Sequence, residues 1–170
     1  MPYLKRLIPL FLITMFLVSA SCGPGSRKIK RTGEPDIIVV ENNDEETEEA
    51  IKHAKSTLSE FETALKSNNS SFDNFSLKVR FENGASGEHI WLGSISLINR
   101  NYYGIVANVP ESTNKVALGD TIEIDTGKIS DWMFTEGKRL HGGYTVKLLR
   151  QRMPKDEQRQ FDKENGLTFY

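Results

Sequence analysis

Residues 119–133 constrain the fold more than any other stretch, because apolar and polar side chains alternate on both sides of a glycine-containing segment. Ile122 and Ile124 alternate with polar neighbours, Gly127 lies in the segment between, and Ile129 begins a second apolar stretch. This pattern predicts a β-hairpin whose second strand ends in an acidic residue beside a tryptophan. The chain is therefore expected to be built around antiparallel sheet.

Three further strands are expected before the hairpin. Residues 75–82 alternate strictly between apolar and polar side chains, which is typical of a half-buried strand. Residues 89–98 and 102–109 are apolar stretches bounded by short turns that contain asparagine or glycine. Strands joined by such short turns predict an antiparallel meander.

Helices are predicted on either side of the sheet segments. Residues 44–66 begin with acidic side chains and continue with an apolar stripe of helical spacing, which indicates one amphipathic helix. Residues 144–153 and 154–164 predict two short helices, and the apolar tail 167–170 is expected to dock back. The fold class is α+β: a strongly curved antiparallel sheet, a meander plus a hairpin, either open or barrel-like, packed with an N-terminal helix and short C-terminal helices.

The N-terminus has the pattern of a secretory signal peptide. Lys5 and Arg6 precede an apolar run over residues 7–18, which is followed by small residues. Residues 20–22 resemble a bacterial lipobox, and Cys22 is the one cysteine of the chain. A lone exported thiol makes no internal disulfide but serves as a lipid anchor, with palmitate or a similar acyl chain. We expect a protein that is exported and lipid-anchored to the cell envelope, on the periplasmic or outer-membrane face; the alternative is ordinary signal cleavage and a soluble periplasmic protein.

Residues 22–43 are expected to be a flexible tether. They contain glycine and proline with a basic cluster, and residues 37–40 could be either an edge strand or a linker segment. The predicted domains are the signal peptide 1–21, the tether 22–43 and an α+β domain over 44–170. A formal net charge of −1 gives no general attraction to nucleic acid, so none is expected as a partner.

Several short motifs of the chain resemble the YegJ-like domain of unknown function. The motifs are Phe81, residues 88–92, residues 104–110, Gly119 with Asp120, residues 129–133 and residues 142–145. The resemblance covers the chain from the acidic helix to the C-terminus. Domains of this family occur in bacterial proteins, some of them small and exported and others joined to ankyrin repeats. The resemblance implies a small α+β domain and no established reaction.

The candidate binding residues combine acid–base side chains, aromatic walls and glycines: Glu88, His89, Trp91, Asn108, Asp131, Trp132, Arg139, His141, Gly142 and Gly143. The two glycines precede a predicted helix whose first amide groups favour an anion, although a tight turn is the simpler explanation for them. His89 is either a functional group or the cap of a strand. Asp131 either lines a ligand groove or binds the backbone of the next turn, with Trp132 in the core.

The leading functional expectation is a binding or interaction domain without enzymatic activity, carried by an envelope lipoprotein. Its partners would be the membrane, through the lipid, and either a protein or a small anionic ligand. No catalytic, metal-binding or cofactor motif is assigned. One alternative is a hydrolase-like enzyme that uses His89 or His141 with Asp131, which requires these residues to converge in one pocket. Another, by analogy with related small β-rich domains, is an immunity-type protein that masks a toxin at the membrane.

Overall fold

The computed structural model describes residues 26–29, 37–40, 44–84 and 86–169. Cys22, the signal peptide and part of the tether lie outside the described residues, so the predicted domain boundaries stay predictions. Two short strands in the tether region, β1 (Ser26–Ile29) and β2 (Ile37–Val40), pair with each other in a separate antiparallel sheet. Residues 37–40 therefore form a strand, but they do not join the larger sheet.

The described part of the chain from residue 44 onward is an α+β fold, as predicted. Its helices are α1 (Glu45–Ser56), α2 (Leu58–Lys66), α3 (Tyr144–Arg152) and α4 (Lys155–Asn165). Its strands are β3 (Phe72–Asn83), β4 (Ser86–Ile98), β5 (Asn101–Val106), β6 (Thr121–Ile124), β7 (Ile129–Glu136) and β8 (Arg139–Gly142). The six strands form one antiparallel sheet in the order β6-β5-β4-β3-β7-β8. The sheet is curved but does not close into a barrel.

The predicted hairpin over residues 119–133 is wrong. The turn forms as a single 3₁₀ turn at Thr126–Lys128, but β6 pairs with β5 whereas β7 pairs with β3. In a flat sheet, β6 and β7 would be four spacings apart, about 19 Å. The chain from Ile124 to Ile129 spans at most about 17 Å even when fully extended. The sheet must therefore curl to bring these two strands within reach of each other.

Irregular backbone at three places accounts for the curl. The register shifts between Asp73 and Ser76 in β3, between Gly93 and Ser96 in β4, and next to Ser130 in β7. Such β-bulges bend a strand and increase its twist. Two of the shifts contain a non-glycine residue with positive φ, Asn74 and Ser94. The alternation of the sequence does not reveal these positions, because bulges interrupt the pairing without changing the residue types.

The core lies on the concave face of the sheet, beneath α2. Phe61 of α2 is fully buried, and its ring centroid lies 5.9 Å from that of Trp132 and 5.6 Å from that of Phe75. Leu77 of β3 and Ile90 of β4 pack into the same cluster and are also fully buried. The prediction of a half-buried strand over 75–82 is confirmed, since Leu77 and Val79 are buried whereas Arg80 and Glu82 are exposed.

The predicted single helix over residues 44–66 is interrupted at Thr57. The backbone leaves helical geometry there, and the Thr57 hydroxyl donates to the carbonyl of His53 (2.9 Å). The same oxygen lies 3.2 Å from the indole N–H of Trp132 and 3.0 Å from the hydroxyl of Tyr144. The interruption also frees the carbonyl of Ala54, which accepts from the Trp132 indole (3.0 Å). Tertiary hydrogen bonds thus accompany the break at this one residue.

The C-terminal region forms the two predicted helices and returns to the sheet. Thr168 pairs in parallel with Arg139, and the amide of Leu140 donates to the carbonyl of Thr168 (3.2 Å). Helices α1 and α3 also contact each other, because Arg152 at the end of α3 forms ion pairs with Asp44 and Glu46 beside the start of α1. The acidic start of α1 and the basic end of α3 therefore lie against each other.

Candidate functional site

Asp131 caps the start of α3. Its carboxylate accepts from the amides of Trp132 (2.8 Å), Tyr144 (3.2 Å) and Thr145 (2.8 Å), and from the Thr145 hydroxyl (2.6 Å). The residue at the N-cap position itself, Gly143, has no side chain to offer. The Asp131 side chain extends from β7 and accepts hydrogen bonds from the first amides of α3. These are the amides for which the sequence predicts an anionic ligand. Two roles were predicted for Asp131, lining a ligand groove and binding the backbone of the next turn. The structure shows the second.

Gly142 and Gly143 form the tight turn that brings the helix to Asp131. Both have positive φ, 66° and 62°, which favours glycine. A Cβ atom at Gly142 would lie 2.2 Å from the carbonyl oxygen of Trp132, so the close approach itself also excludes a side chain. Trp132 is buried in the core and therefore does not form the wall of an open groove.

Glu88 and Asn108 anchor the long loop after β5. The Glu88 carboxylate accepts from the amides of Glu111 (2.7 Å), Ser112 (2.9 Å) and Thr113 (2.9 Å). These bonds hold the pKa of Glu88 below its usual value against the opposing effect of burial. The side-chain oxygen of Asn108 accepts from the amide of Trp91 (2.9 Å). The predicted strand over 102–109 accordingly ends at Val106, and the residues after it are tied down by side chains.

His89 lies on the convex face of the sheet. Its Nδ1 atom is 2.7 Å from the hydroxyl oxygen of Ser130, a buried residue beside the bulge in β7. Burial, together with the positive charges of Lys78, Arg80 and Lys55, lowers the pKa of His89 to about 4. The ring is therefore neutral at neutral pH.

Lys78 lies between His89 and the α3 cap. Its ammonium donates to the Thr145 hydroxyl (3.1 Å) and is 5.5 Å from the centre of the Trp91 ring. Burial lowers the pKa of Lys78, while the nearby Asp131 carboxylate partly restores it. Lys78, Ser130 and Thr145 were not among the predicted site residues. Lys78 belongs to none of the motifs named above, and Thr145 ends the motif over residues 142–145 without having been assigned a role. Their positions beside Asp131 give them one.

His141 lies on the opposite, concave face. It pairs with Phe134 across β7 and β8, and the two rings stack with centroids 4.6 Å apart. Its Nε2 atom is 3.0 Å from a carboxylate oxygen of Glu136. Arg139 is exposed at the start of β8. The sheet thus separates His141 from His89 and Asp131, and the convergence that the hydrolase-like alternative required is not observed among these residues.

An opening lies between α1 and α3. It has a volume of about 550 Å³. Its lining consists of small, apolar and charged side chains at helical spacing: Glu49, Ala50, Lys52, His53 and Ser56 from α1, and Tyr144, Lys147, Leu148 and Gln151 from α3. None of these belongs to the predicted set. We call this opening the α1–α3 groove.

Two absences hold for the described residues. No group of three or more histidine, aspartate, glutamate or cysteine side chains is placed there to hold a metal ion. None of the helices described is both long enough and apolar enough to cross a membrane.

The fold and the polar network define a small α+β domain whose conspicuous acidic residues cap its own loops and helix. A family described as "Uncharacterized protein conserved in bacteria (DUF2314)" matches residues 44–169. The chain belongs to this family, which confirms the resemblance to YegJ-like domains of unknown function.

Two relatives show the range of proteins that share this domain. The uncharacterized protein YegJ of Escherichia coli K12 is 32% identical over 123 residues, which cover 72% of this chain and 79% of that protein. A putative ankyrin repeat protein of Neisseria meningitidis serogroup B is 30% identical over 145 residues, which cover 81% of this chain but only 57% of that protein. No solved structure matches the chain.

Proposed function

We propose that this chain is a lipid-anchored binding protein of the bacterial cell envelope and that its domain acts without catalysis. The signal-like N-terminus and the single cysteine after small residues support export and acylation at Cys22. Each buried methylene of an acyl chain contributes about 0.8 kcal/mol to membrane binding. The basic residues that follow Cys22, between positions 27 and 31, would add attraction to anionic headgroups.

The observation that carries the binding role is where the reactive side chains lie. Asp131 and Glu88 each accept several backbone amides, and His89 and His141 lie on opposite faces of the sheet. The α1–α3 groove also contains His53 and Ser56, but the His53 ring stacks on Tyr144 and the Ser56 hydroxyl donates to the His53 carbonyl, so the two side chains do not form a catalytic pair. This arrangement suits recognition better than acid–base chemistry.

The tether is tested by measuring the intact mass of protein extracted from membranes, beside a Cys22→Ala variant. We expect the mass of a chain that begins at Cys22 and carries diacylglyceryl and acyl groups, and we expect these groups to be lost in the variant. An unmodified chain that begins at Ser21 would overturn the anchor and indicate a free exported protein.

A further inference from the structure

The α1–α3 groove has an apolar floor and charged rims. Helices α1 and α3 run antiparallel, since His53 near the end of α1 stacks on Tyr144 at the start of α3 with ring centroids 4.4 Å apart. Ala50 and Leu148 complete the floor, and polar side chains of both helices form the rims. A volume of about 550 Å³ lies within the range typical of small-molecule sites, roughly 300–1,000 Å³.

Lys147 is the groove residue whose charge is least compensated. Its ammonium lies 5.8 Å from the centre of the Tyr144 ring, and within the described part of the chain no carboxylate forms an ion pair with it. The pKa of Lys147 lies below its usual value. Burial and the positive charge of Arg139 lower it by more than the nearby Asp131 carboxylate raises it. The Asp131 carboxylate does not pair with Lys147, because both of its oxygens already accept hydrogen bonds from the start of α3 and from the Trp132 amide.

The opposite rim does not neutralise this charge. Glu49 lies 3.5 Å from Lys52, and both side chains are largely exposed, so their ion pair stabilises little. The charges of Glu49 and Lys52 cancel each other. The half-buried Lys147 ammonium therefore remains as the uncompensated charge beside the apolar and aromatic floor. A half-buried cation without an ion-pair partner favours binding of an anion in the groove.

We propose that the α1–α3 groove binds a small organic anion, in which a carboxylate or phosphate contacts Lys147 while a flat apolar body lies on Ala50 and Leu148, beside the stacked rings of His53 and Tyr144. This ligand class specifies the binding role proposed above. It does not depend on the lipid anchor.

The test is isothermal titration calorimetry with the full-length protein in neutral detergent, which keeps the lipidated and the unlipidated forms in solution alike. The probes are phenyl phosphate and benzoate, with benzyl alcohol and benzylamine as neutral and cationic analogues. Lys147→Gln removes the charge, and Lys128→Gln is its matched control, because Lys128 is an exposed lysine 3.6 Å from Asp125. Ala50→Trp fills the groove without altering its charges, and thermal unfolding confirms that each variant folds.

We expect saturable binding of at least one anion and weaker or no binding of the two analogues. Lys147→Gln should weaken the anion about tenfold, the effect of losing one half-buried ionic contact. Lys128→Gln should change the affinity less than about twofold, and Ala50→Trp should abolish binding. Absence of binding by both anions, equal binding of benzyl alcohol, or equal effects of the two lysine variants would overturn the inference. A mass measurement that shows no lipid on Cys22 would not contradict the inference that the groove binds an anion.

Discussion

Protonation of His89 should destabilise the fold in mild acid. The half-buried ring bonds to Ser130 and is approached by the cations Lys55, Lys78 and Arg80, which together with burial lower its pKa to about 4. In the unfolded chain the pKa returns to about 6.5. Between these values the unfolded state binds more protons than the folded state, so the free energy of unfolding falls as the pH falls. The stabilisation is complete above pH 6.5 and is lost as the pH approaches 4.

The magnitude follows from the separation of the two pKa values. A difference of about 2.5 units corresponds to at most about 3 kcal/mol of stability. That loss is a large fraction of the total for a domain of this size, which is about 5–15 kcal/mol. The variant that isolates the effect is His89→Asn, because an asparagine amide can keep the bond to Ser130 but does not titrate.

The assay is urea unfolding at pH 7.0, 5.5 and 4.5, followed by the fluorescence of the buried Trp132. Wild-type protein should lose about 2 kcal/mol more than His89→Asn between the highest and lowest pH, since pH 4.5 is still above the folded pKa. Burial raises the pKa of Asp131, and this group contributes in the opposite direction. It is present in both proteins and cancels in the difference. Equal losses in the two proteins would refute the assignment of a depressed pKa to His89.

Three further substitutions test the structural roles by urea unfolding. Thr57→Val should cost about 1–2 kcal/mol, because the Tyr144 hydroxyl loses a partly buried partner and the Trp132 indole keeps only the Ala54 carbonyl; the matched Thr63→Val removes only an exposed bond and should change stability by less than about 0.5 kcal/mol. Arg100→Gly should stabilise by about 1 kcal/mol, because Arg100 has a φ of 69° in the two-residue turn between β4 and β5. Asp131→Asn should cost about 3 kcal/mol, since an amide cannot accept the four hydrogen bonds of the carboxylate; an unchanged midpoint would show that α3 does not depend on its cap.

Local patterns predicted where the strands and helices lie and how β3, β4 and β5 pair as a meander, but not how β6 and β7 pair. The alternation in residues 75–82 and around Ile122 and Ile124 reports a half-buried surface, and the structure places strands at both. A four-residue connection between β6 and β7 favours a hairpin as long as the sheet is assumed to be flat. The pairing depends instead on the bulges near Asn74, Ser94 and Ser130, which no residue-type pattern reports.

The interruption at Thr57 was equally hidden from local reasoning. A threonine within an amphipathic stripe is compatible with a continuous helix, and nothing in residues 44–66 requires a break. The break is stabilised by Trp132, which is remote in sequence and bonds to both Thr57 and Ala54. The hydrogen bonds of the buried Trp132 indole thus override the local preference for a continuous helix.

The candidate site shows how residue type and role diverge in a small sheet domain. Aspartate, glutamate and asparagine at strand ends suggested chemistry, yet Asp131, Glu88 and Asn108 all accept backbone amides. The sheet does not pair the amides of its loops or of the next helix, and the nearest carboxylates satisfy them. Acidic residues where strands meet loops in such a domain are therefore expected to be caps first. The α1–α3 groove shows the converse, because alanine, leucine, lysine and tyrosine at helical spacing are typical of any helix pair and line an opening only once two helices face each other.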